Sequence, residues 1–444
     1  MADQDPAKKS PLLARLAFYY LVIFGCLVIG FGIAYLKLPP FQAIDNGFNQ
    51  LTTFFKGTPE EEKTTLERLT LHRQEFRQNK YDPGFNLRDS DFVDPGFLLI
   101  SEFSKEHNQT IIRLVKVDGF EELYSWIPPV EEILDQTRRD TLFNNMAGFC
   151  AQHPLLLTDG SVVFTSGQGP LVKIDRDSEV VWTINRHFHH SIEVDQSGNF
   201  VVPIVNEPSF SEELSLFRDD AIAIVSPEGE ILEIRSIGEL LVKDDRFVGA
   251  FYGVGYFFAD RVHLNDIQPI LEDIGTAKKG DLALSLRNLS LIMLYRPSTN
   301  KIIWGRLGPW IYQHDVNILP NGSFSVFSNN AYSQFLGPET SKKYKPYSEV
   351  YVFDPETDKL VSPYEEQMAS VDCFTPTAGR ARVLPNGDVF LEQSDFCRLI
   401  RLSNDRIRWE YTNMAADDTQ GLVHWCRYYG PQEIDLEWLE GNLN

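Results

Sequence analysis

The 444-residue chain has little cysteine, five residues in all, and no two of them form a C-x-x-C pair. A zinc ribbon or a dithiol redox site is therefore disfavoured. It has no Lys/Arg cluster of the kind that follows a phosphate backbone, and its formal net charge is -22, so nucleic acid is not expected as a partner. An anionic substrate would need a local positive pocket inside this repelling field. No Walker loop, G-x-G-x-x-G helix start or G-x-S-x-G elbow is present, which leaves nucleotide-binding and serine-hydrolase readings without support. FYGVGYFF (251–258) lacks the third glycine of a dinucleotide fingerprint. Low-complexity tracts are missing too, and 43% hydrophobic with 12% aromatic residues suits a chain with a sizeable packed core.

Long apolar runs are scarce, with one exception. Residues 16–36, LAFYYLVIFGCLVIGFGIAYL, carry no charge and have the length of one membrane crossing, about 20 residues. Lys8, Lys9 and Arg15 precede the run, and Lys37 and Pro39-Pro40 follow it. The positive-inside bias then puts residues 1–15 in the cytoplasm and the rest on the periplasmic or extracytoplasmic side of an inner or plasma membrane. A cleaved signal peptide is the competing reading, but no A-x-A-like site follows the run. Residues 37–92 read as a connector, with a stalk helix in EEEKTTLERLTLHRQEF (60–76) broken by Asp82-Pro83-Gly84. Cys150, Cys373, Cys397 and Cys426 lie beyond the run; they allow three disulfide pairings, or four buried thiols.

From about residue 93 the texture changes to short β-rich runs separated by Asn-Gly, Asp-Gly and Ser-Gly turns. LLLTDGSVVFTSG…VKIDRDSEVVWTI (155–184), ILPNGSFSVFSNN…VYVFDPETDKLV (318–361) and VLPNGDVFLEQS…LIRLSNDRIRWEY (383–411) share one plan. Each reads as strand, two-residue turn with φ > 0, strand, strand, polar turn and a fourth strand. Trp126, Trp182, Trp304 and Trp409 recur on that fourth strand. Units at 95–127, 150–184, 189–235, 262–306, 313–361 and 379–412 predict an all-β, six-bladed β-propeller over 93–427 with a tail at 428–444. With the run at 16–36, the expected architecture is this propeller behind an N-terminal single transmembrane helix and helical stalk.

The repeat gives the histidines positions. His190 stands eight residues before Gly198, and His314 eight before Gly322, so both open the first strand of their units, the strand that lines a propeller's channel. His263 in VHLNDIQPI opens another, ahead of the insertion LEDIGTAKKG. At the end of the second strand, which folds back beside the start of the first, Arg287 lies seven residues after Gly280 and Asn329 seven after Gly322. His190, His263, Arg287 and His314 are thus expected to converge at one mouth of the channel. In NRHFHHS (185–191) strand alternation turns His189 away from His190, leaving His187 and His189 as rim or structural residues. Several histidines together also suit Fe(II) or Zn(II). Arg287 argues against a metal, because its permanent charge repels a cation while its planar fork fits the oxygens of carboxylate, phosphate or sulfate.

HHSIEVDQSGN, HLNDIQ, SLRNLS and QHDVNILPNG resemble the motifs of the arylsulfotransferases that work without the nucleotide sulfate donor, in particular the broader second branch of that family. The resemblance covers about 150–412 and implies a six-bladed propeller that moves a sulfuryl group from an aryl sulfate to a phenol by a ping-pong route without a cofactor. It further implies His314 as the nucleophile that becomes sulfohistidine. Arg287 and His263 would hold sulfate oxygens, with Asn329 beside them, and His190 would assist at the phenolic oxygen. The alternatives are a non-catalytic membrane-anchored propeller that serves as a scaffold or subunit for membrane proteins, and a metal enzyme ligated by the same histidines.

Overall fold

A computed structural model describes residue 24 and residues 80–137, 149–167, 169–211, 214, 217–253, 259–331 and 347–442. The elements below belong to one compact unit, Thr64–Asn444. In chain order the strands are β1 (Gly84–Leu87), β2 (Phe97–Ser104), β3 (Gln109–Lys116), β4 (Glu121–Trp126), β5 (Ala151–Leu156), β6 (Val162–Ser166), β7 (Gly169–Ile174) and β8 (Val180–Phe188). They continue with β9 (Glu193–Val194), β10 (Phe200–Val205), β11 (Asp220–Val225), β12 (Ile231–Ser236), β13 (Leu264–Pro269), β14 (Leu282–Leu286), β15 (Leu291–Arg296) and β16 (Lys301–Leu307). The last are β17 (Asp315–Ile318), β18 (Phe324–Ser328), β19 (Glu349–Asp354), β20 (Lys359–Val361), β21 (Arg380–Val383), β22 (Val389–Gln393), β23 (Arg398–Leu402), β24 (Ile407–Thr412), β25 (Met414–Ala416), β26 (Thr419–Gln420) and β27 (Arg427–Tyr429).

One turn recurs, and it sets the register of the hairpins. Leu319 N–H donates to Ser323 O at 2.8 Å and Gly322 N–H to Leu319 O at 2.9 Å, so three residues rather than two link the paired positions. The same bonds join Leu157 to Ser161, Asp195 to Asn199, Ser226 to Glu230 and Leu384 to Asp388. Each loop closes on a glycine with φ between 80° and 86° (Gly160, Gly198, Gly229, Gly322, Gly387), the left-handed conformation that follows a type I turn in this hairpin class.

The middle strands are buried on both faces, which is why VVF in β6, LALSL in β14 and LIML in β15 read as continuous apolar runs rather than alternating ones. Core clusters lie between successive sheets. One joins Ile112 and Trp126 to Phe164 and Val172, and another joins Leu98 and Val115 of the first sheet to Phe390 and Trp409 of the last. The recurring tryptophans do lie on the fourth strands of their units, β4, β8, β16 and β24. Two of them cap the next unit's hairpin, Trp126 Nε1 donating to Gly160 O and Trp182 Nε1 to Pro227 O, each at 3.1 Å.

The sheet order corrects the expectation of six separate blades. The strands make an all-β propeller arrangement in which four antiparallel sheets stand apart: β27-β2-β3-β4, β13 to β16, β17 to β20, and β21 to β24 with β1 at its edge. The units at 150–184 and 189–235 instead form one eight-stranded sheet. The reason lies in β8, which is nine residues long. Its last residue, Phe188, pairs with Gly169 of β7 and also with Ile204 of β10, carrying the ladder into the next unit.

The transmembrane helix and stalk are also without support. Residues 16–36, apart from Phe24, and 60–76 lie outside the described residues, and among the described residues no helix is long and apolar enough to cross a membrane. The longest α-helices with described bounds, Val130–Asp135, Ile237–Val242 and Glu365–Ser370, have six residues, about 9 Å at 1.5 Å per residue against the roughly 30 Å of a hydrocarbon core. The single-pass anchor and the inner-membrane, extracytoplasmic placement built on it are therefore not supported. Cys150, Cys373, Cys397 and Cys426 are all buried without disulfides, and burial pushes the Cys150 and Cys373 thiols up to about 12.

Candidate functional site

Neighbouring hairpins deliver the candidate residues in pairs. His263 precedes β13 and Arg287 follows β14, and the Arg287 N–H donates to the His263 carbonyl at 3.0 Å. His314 precedes β17, Asn329 follows β18, and the His314 N–H donates to Phe327 O at 3.1 Å. His190 sits in the bend between β8 and β9. Its ring centroid lies 5.1 Å from that of His263 and 6.2 Å from that of His314.

Polar residues beside these histidines tie the sheets together. Ser191 Oγ accepts from Ile267 N–H at 3.0 Å, Asp266 Oδ2 from Val316 N–H at 2.9 Å, and Asp315 Oδ2 from Ala381 N–H at 3.1 Å. Asp315, directly after His314, thus reaches the next sheet. Each such bond is buried, so losing a partner would leave an unsatisfied group.

His314 is held at both ring nitrogens. Asn329 donates its two N–H groups to the carbonyls of Thr375 (2.8 Å) and Ala378 (2.7 Å), so its Oδ1 must face His314 Nδ1, 2.6 Å away. An oxygen there requires the proton on Nδ1. Nε2 is then the lone-pair nitrogen, and in this structure it accepts from Ala378 N–H at 3.1 Å. Burial, then the charge of Arg287, holds the His314 imidazole well below its ordinary range. Asn329 is fully buried with its amide committed to this scaffold.

Arg287 is 2% exposed. Its Nη1 donates to Asn288 Oδ1 at 2.8 Å, the guanidinium stacks 4.4 Å from the centroid of Tyr312, and Nε has no hydrogen-bond partner. Among the described residues no carboxylate pairs with it, and burial lowers its pKa. His263 Nδ1 lies 2.6 Å from Asp260 Oδ2; burial acts to raise the Asp260 carboxyl, but the His263 bond leads the interactions that bring it below its usual value. Burial first, then the neighbouring imidazole of His189, pushes His190 well below its ordinary range. The group is a set of imidazoles beside one buried, anion-seeking guanidinium.

The structure adds residues the sequence reading passed over. His153, fully buried, lies 6.0 Å from His190 and 4.1 Å from the Trp425 ring between centroids, and neither of its ring nitrogens has a hydrogen-bond partner. It stands seven residues before Gly160 rather than eight, which hid it from the offset rule. His189 is 1% exposed and its Nδ1 is 2.8 Å from His190 Nδ1, whereas strand alternation had turned it away. Alternation fails because β8 ends at Phe188 and His190 has φ 58°. His187 lies on β8, half-buried, 3.6 Å from Glu207. His153, His263, Tyr312 and Ala378 share the positive φ of His190, at 51° to 54°, a conformation that costs roughly 1–2 kcal/mol per non-glycine residue and concentrates at functional sites. Among the described residues no group of three or more His, Cys, Asp or Glu side chains is placed to hold a metal ion.

Among solved structures, a protein of unknown function from Bacteroides caccae is 12% identical over 74% of this chain and 99% of its own, with a TM-score of 0.44. A catalytically inactive virginiamycin B lyase from Staphylococcus aureus, with quinupristin, is 9% identical over 58% of this chain and 69% of its own, with a TM-score of 0.34. Similarity at this level carries no argument about the site. No curated protein matches the chain. The model of the family described as Arylsulfotransferase (ASST) matches residues 153–414, from the first buried histidine to just past β24, and the chain belongs to the arylsulfotransferase family.

Proposed function

We propose that the protein transfers a sulfuryl group from an aryl sulfate to a phenolic acceptor by way of the His314 imidazole. Family membership and the propeller arrangement support an arylsulfotransferase-like function. The observation that carries the finer reading is the buried guanidinium of Arg287, without a carboxylate partner among the described residues, beside a neutral imidazole whose proton is held on Nδ1. A neutral imidazole is a nucleophile, and a buried unpaired cation favours a substrate that brings its own negative charge.

In the first half-reaction the Nε2 lone pair forms a bond to sulfur, the sulfur–aryl oxygen bond breaks, and the phenolate leaves with the electron pair. Arg287 and His263 hold the sulfuryl oxygens, and Asn329 Oδ1 stabilises the positive charge growing on the ring through the Nδ1 proton. Attack requires the Ala378 N–H to leave Nε2, which frees that N–H to face a sulfuryl oxygen. In the second half-reaction the acceptor oxygen bonds to sulfur, the sulfur–nitrogen bond breaks, and His190 takes the acceptor proton. No cofactor enters either step.

One observation favours a second reading, an anion-binding propeller without transfer: Nε2 is engaged by the Ala378 amide. Incubation with a chromogenic aryl sulfate, with and without a phenol, separates the two. The proposal expects phenol release that accelerates with acceptor and is lost in His314→Ala. Thermal stabilisation by sulfate with no release in the parent protein would favour the second reading.

A further inference from the structure

The histidine doublet holds a second chain of facing polar groups, behind His190. His189 Nε2 faces Asp220 Oδ1 at 3.4 Å, and His189 Nδ1 faces His190 Nδ1 at 2.8 Å. Asp220 is fully buried and fixed from two further sides, by Arg218 Nε on Oδ1 at 3.0 Å and by Leu264 N–H on Oδ2 at 2.8 Å. Burial acts to raise this carboxyl, yet the charge of Arg218 leads the interactions that hold it below its usual range, so it is a carboxylate. By geometry the 3.4 Å contact is an electrostatic one and not a hydrogen bond, but the charge on Asp220 still orients the ring. A lone pair on His189 Nε2 would face the carboxylate oxygen, acceptor against acceptor, so Nε2 carries the proton. Burial first, opposed by Asp220, lowers the pKa of His189 and keeps the ring neutral, which leaves Nδ1 as an acceptor. At 2.8 Å from that acceptor, His190 Nδ1 must be the donor. His190 Nε2, which makes no hydrogen bond among the described residues, is then a lone-pair nitrogen.

We infer that Asp220 and His189 are positioning residues that lock His190 in the Nδ1–H tautomer, so that its Nε2 is a ready base on the side of the ring away from His189. The bond geometry rests on the structure alone; the step it serves, removal of the acceptor's proton, rests on the function proposed above. During that step the proton moves from the phenolic oxygen to His190 Nε2, and the positive charge on the ring is shared through Nδ1–H with His189 and Asp220. Such a chain orients a base and stabilises its protonated form, as a carboxylate behind a catalytic histidine does.

The test has two readouts. Imidazole nitrogen NMR of the full-length protein, with no substrate present, is expected to find His190 protonated at Nδ1. His189→Leu, which removes the acceptor, should give a tautomer mixture or the Nε2–H form. His189→Asn, whose Oδ1 stands near the place of Nδ1, should restore the Nδ1–H form even if the leucine variant folds poorly. In turnover, His189→Leu should lower the acceptor-dependent kcat roughly 10- to 100-fold, with a smaller loss in the donor burst and partial rescue in His189→Asn. A parent protein with His190 protonated at Nε2, or a leucine variant with an unchanged tautomer, would overturn the inference. A parent that transfers nothing would sink the proposed reaction, while the tautomer measurement would still decide the positioning role.

Discussion

Two buried arginines in this chain meet opposite surroundings. Arg401, in the last sheet, donates through Nε to Asp388 at 2.9 Å and through Nη1 to Asp94 at 2.6 Å and to the Tyr428 hydroxyl at 2.7 Å. Asp94 also accepts from Trp409 Nε1 at 2.6 Å and from the Tyr428 hydroxyl at 2.7 Å. Burial works to lower the pKa of Arg401, but Asp94 and its neighbours hold it above the usual value. Arg287 is as deeply buried, has one side-chain oxygen and one aromatic face, and its pKa is lowered by burial. The first arrangement joins β23 to the segment before β2 and is complete within the chain. The second has no carboxylate ion pair among the described residues, and on the proposed function its partner is an anion from outside. A buried charge therefore marks structure or site according to whether the fold supplies its counter-charge.

Substitution at the two arginines is the sharpest way to break this contrast. Arg401→Met leaves Asp94 buried without its cation and Asp388 with only Arg408 Nε at 3.6 Å, and is expected to cost about 3–5 kcal/mol of stability, read as a large fall in the denaturation midpoint. Arg287→Met should instead keep or slightly raise stability, because it removes a charge that the fold leaves unpaired. Its cost should fall on activity, a loss in kcat of roughly 10²–10³-fold, about 3–4 kcal/mol, as for a lost oxyanion donor. Ligand linkage comes next in size. Inorganic sulfate at about 100 times its Kd should stabilise the parent by about 2.7 kcal/mol, and the gain should vanish in Arg287→Met but persist in His190→Asn. A gain that survives Arg287→Met would place the anion elsewhere.

The smallest effect concerns His153. Burial first, then the charge of His424, holds its imidazole well below the ordinary histidine range. The unfolded chain takes up a proton there as the pH falls, and the folded ring does not. The stability present above about pH 6.5 is therefore lost as the pH falls toward the depressed folded-state value, at no more than about 1.4 kcal/mol per pH unit. His153→Phe should flatten the acid limb of a stability-against-pH curve by up to that slope, and an unchanged limb would contradict neutral burial of the ring.

Much of this was legible in the chain because turn chemistry and repeat spacing are local. Asp-Gly, Ser-Gly and Asn-Gly marked loops that close on left-handed glycines, and the eight-residue offset put His190 and His314 at the starts of two hairpins. Arg287 and Asn329 followed from the folding back of the second strand. What stayed hidden depends on departures from the repeat and on bonds between distant residues. His153 lies one residue off the offset, and the φ of 58° at His190 defeats the alternation that would have turned His189 away. The path of Phe188 into β10, which merges two expected blades, is a pairing no turn signal announces. Asn329 could be placed at the site from spacing, but its work of holding the His314 proton on Nδ1 depends on the carbonyls of Thr375 and Ala378, some fifty residues on.

The account turns on whether His314 becomes covalently sulfonated. The most direct measurement is intact-protein and peptide mass spectrometry after exposure to an aryl sulfate with no acceptor, quenched at a pH where a nitrogen–sulfur bond survives. The account predicts a gain of one sulfuryl group located on His314, discharged by a phenol and strongly diminished in Arg287→Met. Phenol release with no adduct, or an adduct on another residue, would contradict it.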